Sequence, residues 1–425
     1  MRPRSLLLSL AAVLTVLAQE QELPGCARTC LAPAVKASKC LPTDQPCHCR
    51  DQDLVKNATA CIMVKCTIKE ALLAKNVTAT ACGEPVRDKS PGFVAVSDAF
   101  GIISSLCVIQ RFAFKYWTKL EFGLDDWATL AAMIISVPSI AINALVVGPN
   151  GMGRDTWTLT YENITTFSRF FFILEVLYFA DVAMIKMALI FFYVRIFPAR
   201  EVRRLLQGTL GFVALFGIVF TAIAIFQCVP INYYWWRWDG EHSGHCLDMN
   251  AITWSNAAVS IAIDVWMLAI PLWQLKSVKL DWKKKVGVAM MFCVGTFVTV
   301  VSILRLRALD FSSHSANPTW DLFDVGIWST VEINVGIMCV CMPSLRLLLV
   351  RLFPSLSTSS QRGYIRNNNN NDSPSPRRRV VDNKIIQHMT YSVEYGDKEE
   401  ADEARVVYLR DVDVRSLPVR GENVI

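Results

Sequence analysis

The chain has 425 residues, 53% of them hydrophobic and only 19% charged, with a formal net charge of +6. The averages hide two regimes, a cysteine-rich start and a long apolar middle, and the middle excludes an ordinary soluble helical core. Neither a catalytic constellation nor a nucleic-acid partner is read from the sequence.

The first residues, Met1-Arg-Pro-Arg, are basic. An apolar run follows from Leu6 to Ala18, too short for a span, with small residues at Val16 and Ala18. This layout predicts a secretory signal peptide over residues 1–18. A transmembrane anchor would need about 20 apolar residues. Export places the next segment in an oxidising compartment, where thiols pair.

Eight of the 14 cysteines fall between Cys26 and Cys82: Cys26, Cys30, Cys40, Cys47, Cys49, Cys61, Cys66 and Cys82. So short a segment cannot bury enough core to fold unaided, so an even cysteine count reads as a disulfide framework. Spacing alone leaves roughly a hundred pairings open. A zinc site is the alternative, since Cys26-x3-Cys30 and Cys61-x4-Cys66 are close to zinc-ligand spacing, but export weighs against it. Sequons at Asn57 and Asn76 lie among these cysteines and agree with a lumenal segment. This domain is expected over 19–90.

From Phe93 to Val350 the sequence divides into seven apolar blocks: Phe93 to Phe114, Leu124 to Val147, Phe170 to Phe192, Leu210 to Phe226, Ala251 to Trp273, Val286 to Leu304 and Leu322 to Val350. Most are near the length that spans a bilayer as a helix. Only helices or closed barrels satisfy their backbone inside lipid. The expectation is an all-α membrane protein, a seven-helix bundle over 91–354, with the bilayer as its first partner. The first, third and fifth loops hold 12 lysines and arginines, counting Arg111, Lys115 and the run Arg195 to Arg204, against five in the other loops, counting Arg305. The positive-inside rule then puts the N-terminus outside and the C-terminus in the cytoplasm. A third sequon, Asn163, is placed in an outer loop.

Another outer loop reads CVPINYYWWRWDGEHSGHC, and Cys228 and Cys246 at its ends can pair. Its tyrosines and tryptophans suit an aromatic belt at the headgroups or a lid over a ligand cavity. His242 and His245 make only a weak metal site beside Cys246. Ionisable groups inside the blocks include Glu175, Asp181, Lys186, Asp264 and Glu332. Such groups normally face a bundle interior. They could line a pocket or tie helices together, and Lys186 could also snorkel to the nearer surface. No lysine occurs between Lys285 and Lys384, so the seventh block cannot form a retinal Schiff base. The tail, 355–425, with its asparagine run and SPSPRRR patch, reads as a disordered cytoplasmic segment.

Several stretches carry a resemblance: LDDW (Leu124 to Trp127), KMALIFFYVRIFP (Lys186 to Pro198), the CVP…W…C loop, IDVWMLAIPLWQL (Ile263 to Leu275), WSTVEINVGIMCVCMPSLR (Trp328 to Arg346) and the spacing C-x3-C-x9-C-x6-C-x-C-x11-C-x4-C-x15-C. Together these resemble a fungal CFEM domain fused to the seven-helix fungal rhodopsin domain of appressorium-type, GPCR-like receptors. The resemblance implies a small disulfide-rich helical CFEM domain with nested bridges, Cys26–Cys66, Cys30–Cys61, Cys40–Cys47 and Cys49–Cys82. It also implies haem as a cofactor, with Asp44 as the axial iron ligand, although Gln45 and Pro46 stand where an aromatic is usual. The expected function is a plasma-membrane receptor that senses an extracellular surface or ligand and signals through a heterotrimeric G protein touching Arg195 to Arg204. Haem or iron capture with uptake is the alternative, and an adhesion module a third reading.

Overall fold

The computed structural model describes residues 23–41, 44–197, 199–276, 295–309 and 317–352. The expected signal peptide, the fifth loop beyond Lys276, Pro198 and the tail lie outside them. Everything described belongs to one compact unit.

The cysteine-rich segment forms four short helices, α1 (Gly25–Ala37), α2 (Gln45–Arg50), α3 (Gln52–Lys65) and α4 (Ile68–Ala81). Each start has a local cause. The Asp44 carboxylate accepts the Cys47 N–H at the head of α2, and Asp51 accepts from Asp53 and Leu54 at the head of α3. Thr67 and Glu70 form a reciprocal capping box on α4. The buried side chains are few and small, Ala27, Cys30, Leu54, Ala58, Ala74 and Ala79. A core this thin needs crosslinks. Four disulfides provide them, Cys26–Cys66, Cys30–Cys61, Cys40–Cys47 and Cys49–Cys82. That is the nested order the resemblance implies, and it consumes the thiolates a zinc ion would need.

The bundle follows. Its helices are α5 (Ser90–Thr118), α6 (Leu124–Ile142, continuing as a π-helical turn over Asn143–Val147), α7 (Tyr161–Ile196), α8 (Arg200–Ile225), α10 (Met249–Lys276), α11 (295–309) and α12 (Pro318–Leu352). Between α8 and α10 lie the turn α9 (Tyr233–Trp236) and a two-stranded antiparallel ribbon, β1 (Cys228–Val229) with β2 (His245–Cys246). Among the described residues five helices are long and apolar enough to cross a membrane, Ser90–Thr118, Leu124–Val147, Arg200–Ile225, Met249–Trp273 and Pro318–Leu349. The third block lies within α7, at 36 residues the longest helix, and α11 is described only for the latter part of the sixth block. The protein is an all-α membrane protein, a seven-helix bundle preceded by a disulfide-rich helical cap.

The central helix α7 packs against α6, α8 and α12, and α12 packs along α5. Close approach needs small residues. Gly217 of α8 lies so near Ala183 of α7 that an added Cβ would strike the Ala183 Cβ. Buried apolar side chains from α5, α6, α7 and α12, among them Val108, Met133, Phe179 and Ile337, form one core, and α7, α8 and α10 form a second.

Three expectations about loops change. Arg111 and Lys115, counted as loop charges, are buried in the last turns of α5. Arg305, counted in the sixth loop, is buried in α11. Arg200, Arg203 and Arg204 belong to the start of α8, so the third connection shrinks to residues 197–199. For Arg111, Lys115 and Arg305 the partner of the charge lies on another helix. Likewise Asn163 sits in the first turn of α7 rather than in a loop.

The cap is tied to the bundle. Lys69 of α4 pairs with Glu241 at 2.6 Å and approaches Asp239 at 3.7 Å, and the Tyr161 hydroxyl donates to the Lys69 carbonyl. Asn76 donates to the Trp157 carbonyl at 2.9 Å. The segment after the cap is held too. Arg87 forks onto Asp155 and lies over the Trp320 ring, while the Lys89 N–H donates to the Gly153 carbonyl. Asp155 also accepts from Asn317 at 2.7 Å. Burial opposes the Asp155 charge, but the hydrogen bonds from Arg87 and Asn317 outweigh it and hold its carboxyl below the ordinary range. A carboxyl depressed in the folded state adds stability above its unfolded value, about 3.9, and loses it as pH falls through the folded value. Protection of the amides of residues 84–89, relative to their intrinsic exchange at each pH, is therefore expected to hold above about pH 4 and to fall below it. Equal protection across that range would count against the tie.

Candidate functional site

At the cap end the bundle opens into a cavity of about 690 Å³, within the range of roughly 300–1,000 Å³ typical of ligand sites. Its walls are apolar and aromatic, with Phe93, Met152, Phe167, Phe171, Phe179 and Leu322 among them. Polar groups converge on it from different helices as well, among them Ser136 and Asn143 of α6, Glu175 and Tyr178 of α7, Arg305 of α11 and Asn334 of α12. The roof comes from three places. Tyr234, Arg237 and Trp238 belong to the loop closed by Cys228–Cys246, Asp248 and Asn250 lie at the head of α10, and Ile68 and Leu72 come from α4 of the cap.

The roof loop is built for position. The strand pair sets Cys228 opposite Cys246 and the bridge closes it. The Trp238 indole donates to Thr165 at 3.1 Å, and the Tyr234 ring lies 5.0 Å from Phe172. Tyr234 and Trp238 thus take the lid position, while Tyr233, Trp235 and Trp236 do not line the cavity. His242 is engaged by Asp239 at 3.1 Å, and with Cys246 oxidised the two histidines make no metal site. Replacing both Cys228 and Cys246 by serine is expected to cost about 3 kcal/mol, from the chain entropy the bridge removes. Thermal unfolding of the purified variant checks it, and an unchanged midpoint would mean the ribbon holds without its bridge.

Glu175, Asp181, Lys186, Asp264 and Glu332 each have a partner. Glu175 accepts from Gln227 at 3.0 Å and from the Tyr234 hydroxyl at 3.2 Å, so it joins wall to roof. Asp181 accepts from Ser136 on α6. Lys186 does not snorkel; it pairs with Asp264 of α10 and donates to the Ser260 carbonyl at 3.1 Å. Glu332 accepts from Tyr178 at 2.8 Å and Ser302 at 2.5 Å, and Arg305 Nε lies 3.0 Å from it. The Arg305 guanidinium also stacks on Tyr178, 4.6 Å from the ring centroid. Arg305 is the functional residue that sequence reasoning misplaced. Its signal was present, a charge inside the apolar run VVSILRLRAL.

A further charged cluster lies at the far end of the bundle, away from the cap. Arg111 of α5 donates through Nε to Asp126 at 2.7 Å, through Nη1 to the Val340 carbonyl of α12, and through Nη2 to Asp125. Lys115 pairs with Asp126, and Arg195 of α7 reaches Asp125 at 3.3 Å. Four helices meet in this network. The LDDW motif that opens α6 is its acidic half.

In the cap, Asp44 is exposed. One carboxylate oxygen caps α2, and the other has no partner among the described residues. That leaves an outward oxygen suited to an iron ligand. His48 offers none on that face, since both its ring nitrogens are buried. Of the sequons, Asn57 is exposed on α3, whereas Asn163 is half-buried and Asn76 is spent on Trp157.

Comparison with known proteins places two families on the chain. The fungal rhodopsin domain matches residues 110–351, more than half of it, and the CFEM domain matches residues 19–83. A SAT4 family membrane protein of Emericella nidulans is 24% identical over 56% of this chain and 62% of its own length. The chain therefore spans less than two thirds of that relative. Receptor GIN3 of Arthrobotrys oligospora is 22% identical over 63% of this chain and 64% of its own length. A GPI-anchored hemophore of Arthroderma benhamiae is 32% identical over 18% of this chain and 42% of its own length. No solved structure matches.

Proposed function

We propose that this chain, which belongs to the fungal rhodopsin domain family, is a receptor-like protein of the plasma membrane that binds a ligand outside the cell and signals to the cytoplasm. The observation that carries this reading is the cavity in the bundle, whose roof the cap and the bridged loop share. A ligand entering there touches α4, the roof loop and six bundle helices at once. A relative named as a receptor, GIN3, matches over 63% of this chain. No enzymatic role is proposed.

The proposed orientation has the cap outside. With Arg111, Lys115 and Arg305 moved to the interior, ten basic residues remain in or beside the odd connections and four in or beside the even ones, so the charge asymmetry persists. The far end, with Arg195, Arg200, Arg203 and Arg204 around a three-residue connection, then faces the cytoplasm and is the surface proposed for a G-protein subunit. Among the sequons, Asn57 is the best exposed for a glycan. Retinal is not proposed as a cofactor, because α12 carries no lysine. The test is deletion of the gene with cyclic AMP measured after surface contact. Loss of the cyclic AMP rise supports the reading, and a normal rise overturns it.

A second reading, haem capture, rests on Asp44 and on the likeness of the cap to hemophores. Haem bound there would bring iron, and Asp44 would hold it by its outward oxygen. Ferric haem added to the full-length protein should give a Soret shift that Asp44→Ala abolishes, and no shift ends the idea.

A further inference from the structure

Arg305 is 2% exposed, lies on the cavity wall, and leaves its Nη2 atom buried without a hydrogen-bond partner among the described residues. A guanidinium carries five N–H donors, and leaving a buried one unused is costly. Its neighbours do not meet the need. Glu332 already accepts from Tyr178 and Ser302, and only Arg305 Nε lies against it. Asn334 Oδ1 is taken by Ser104, and Glu175 by Gln227 and Tyr234. The cavity therefore presents a fixed cationic donor beside an apolar lining that includes Phe93, Met152, Phe167, Phe171 and Leu322.

From this we propose that the cavity binds a small amphiphilic acid, its carboxylate on the free donors of Arg305 and its apolar body among Phe93, Met152, Phe167 and Phe171. The proposal rests on the receptor reading of the same cavity and names its ligand class. Arginine suits the task because its planar fork matches a carboxylate and its charge does not titrate away. The Tyr178 ring beneath it and the Glu332 contact fix the guanidinium plane in advance, so little freedom is lost on binding. The ring-lined walls take an aliphatic or aromatic tail without specifying its length.

The test uses the full-length chain in lipid nanodiscs with radiolabelled laurate, and methyl laurate as the uncharged twin. Laurate is expected to bind saturably and about tenfold or more tighter than its ester. Arg305→Met would strand Glu332, so the variant measured is the double Arg305→Met with Glu332→Gln, which removes both charges. It should bind acid and ester equally. Ser329→Phe, which narrows the cavity without removing a charge, should weaken both. Equal affinity of the native chain for acid and ester overturns the proposal and leaves the receptor reading standing. If neither probe binds saturably, both readings of the cavity fall.

Discussion

Arg111→Met is expected to be among the most damaging single substitutions in the bundle, costing about 3–5 kcal/mol, because it strands buried carboxylates. Arg111 and Asp126 are 2% and 1% exposed, and the guanidinium serves Asp125, Asp126 and the Val340 carbonyl together. Lys115 and Arg195 remain in the variant, but neither can replace the Nη1 donor to α12. For a domain of this size the loss corresponds to a fall in melting midpoint on the order of 10 °C. Thermal unfolding of the detergent-extracted protein measures it. Adding Asp125→Asn should recover part of the loss, since it removes one uncompensated charge. A midpoint unchanged in Arg111→Met would mean that the cluster is solvated rather than buried. Because the cluster joins α5, α6, α7 and α12 at the far end, the same variant should also uncouple those helices, which a signal to the cytoplasm would require to move together.

The second large effect concerns Lys186 and Asp264. Lys186→Met leaves Asp264 buried without its cation and is expected to cost about 3–5 kcal/mol. The double variant Lys186→Met with Asp264→Leu should lie close to the native chain, because replacing a buried ion pair by apolar groups of similar volume is often neutral. A double-mutant cycle on unfolding midpoints reads the coupling directly. If the double variant is as unstable as the single, the two residues are not a pair, and the contact between α7 and α10 must rest on packing around Ile190, Ile263 and Met267 instead.

Much of the architecture is legible in the residues. The length of the apolar blocks follows from backbone chemistry in lipid, and the cysteine spacing marks the cap because a core of alanines cannot hold it. The pairing of the cysteines was not legible from spacing and came only with the family resemblance. Charges inside blocks were legible as interior groups, but their partners were not. Asp264 lies 78 residues from Lys186, and Asn334 lies 230 from Ser104. Nothing local encodes such pairs. The same blindness put Arg111 and Arg305 into loops, since their partners, Asp126 and Glu332, lie on other helices. The cavity was half visible. The loop aromatics offered a lid, yet the contribution of Ile68 and Leu72 from the cap depends on docking that no periodicity reveals.

That docking is the claim on which the shared roof, and with it the receptor reading, depends. A zero-length carbodiimide crosslinker applied to intact membranes, followed by peptide mass spectrometry, tests it directly. Lys69 and Glu241 are 2.6 Å apart across the junction, so the account predicts a covalent Lys69–Glu241 or Lys69–Asp239 peptide pair. Links confined to the cap, such as Lys75–Glu84 at 2.8 Å, with none to the roof loop, would contradict it.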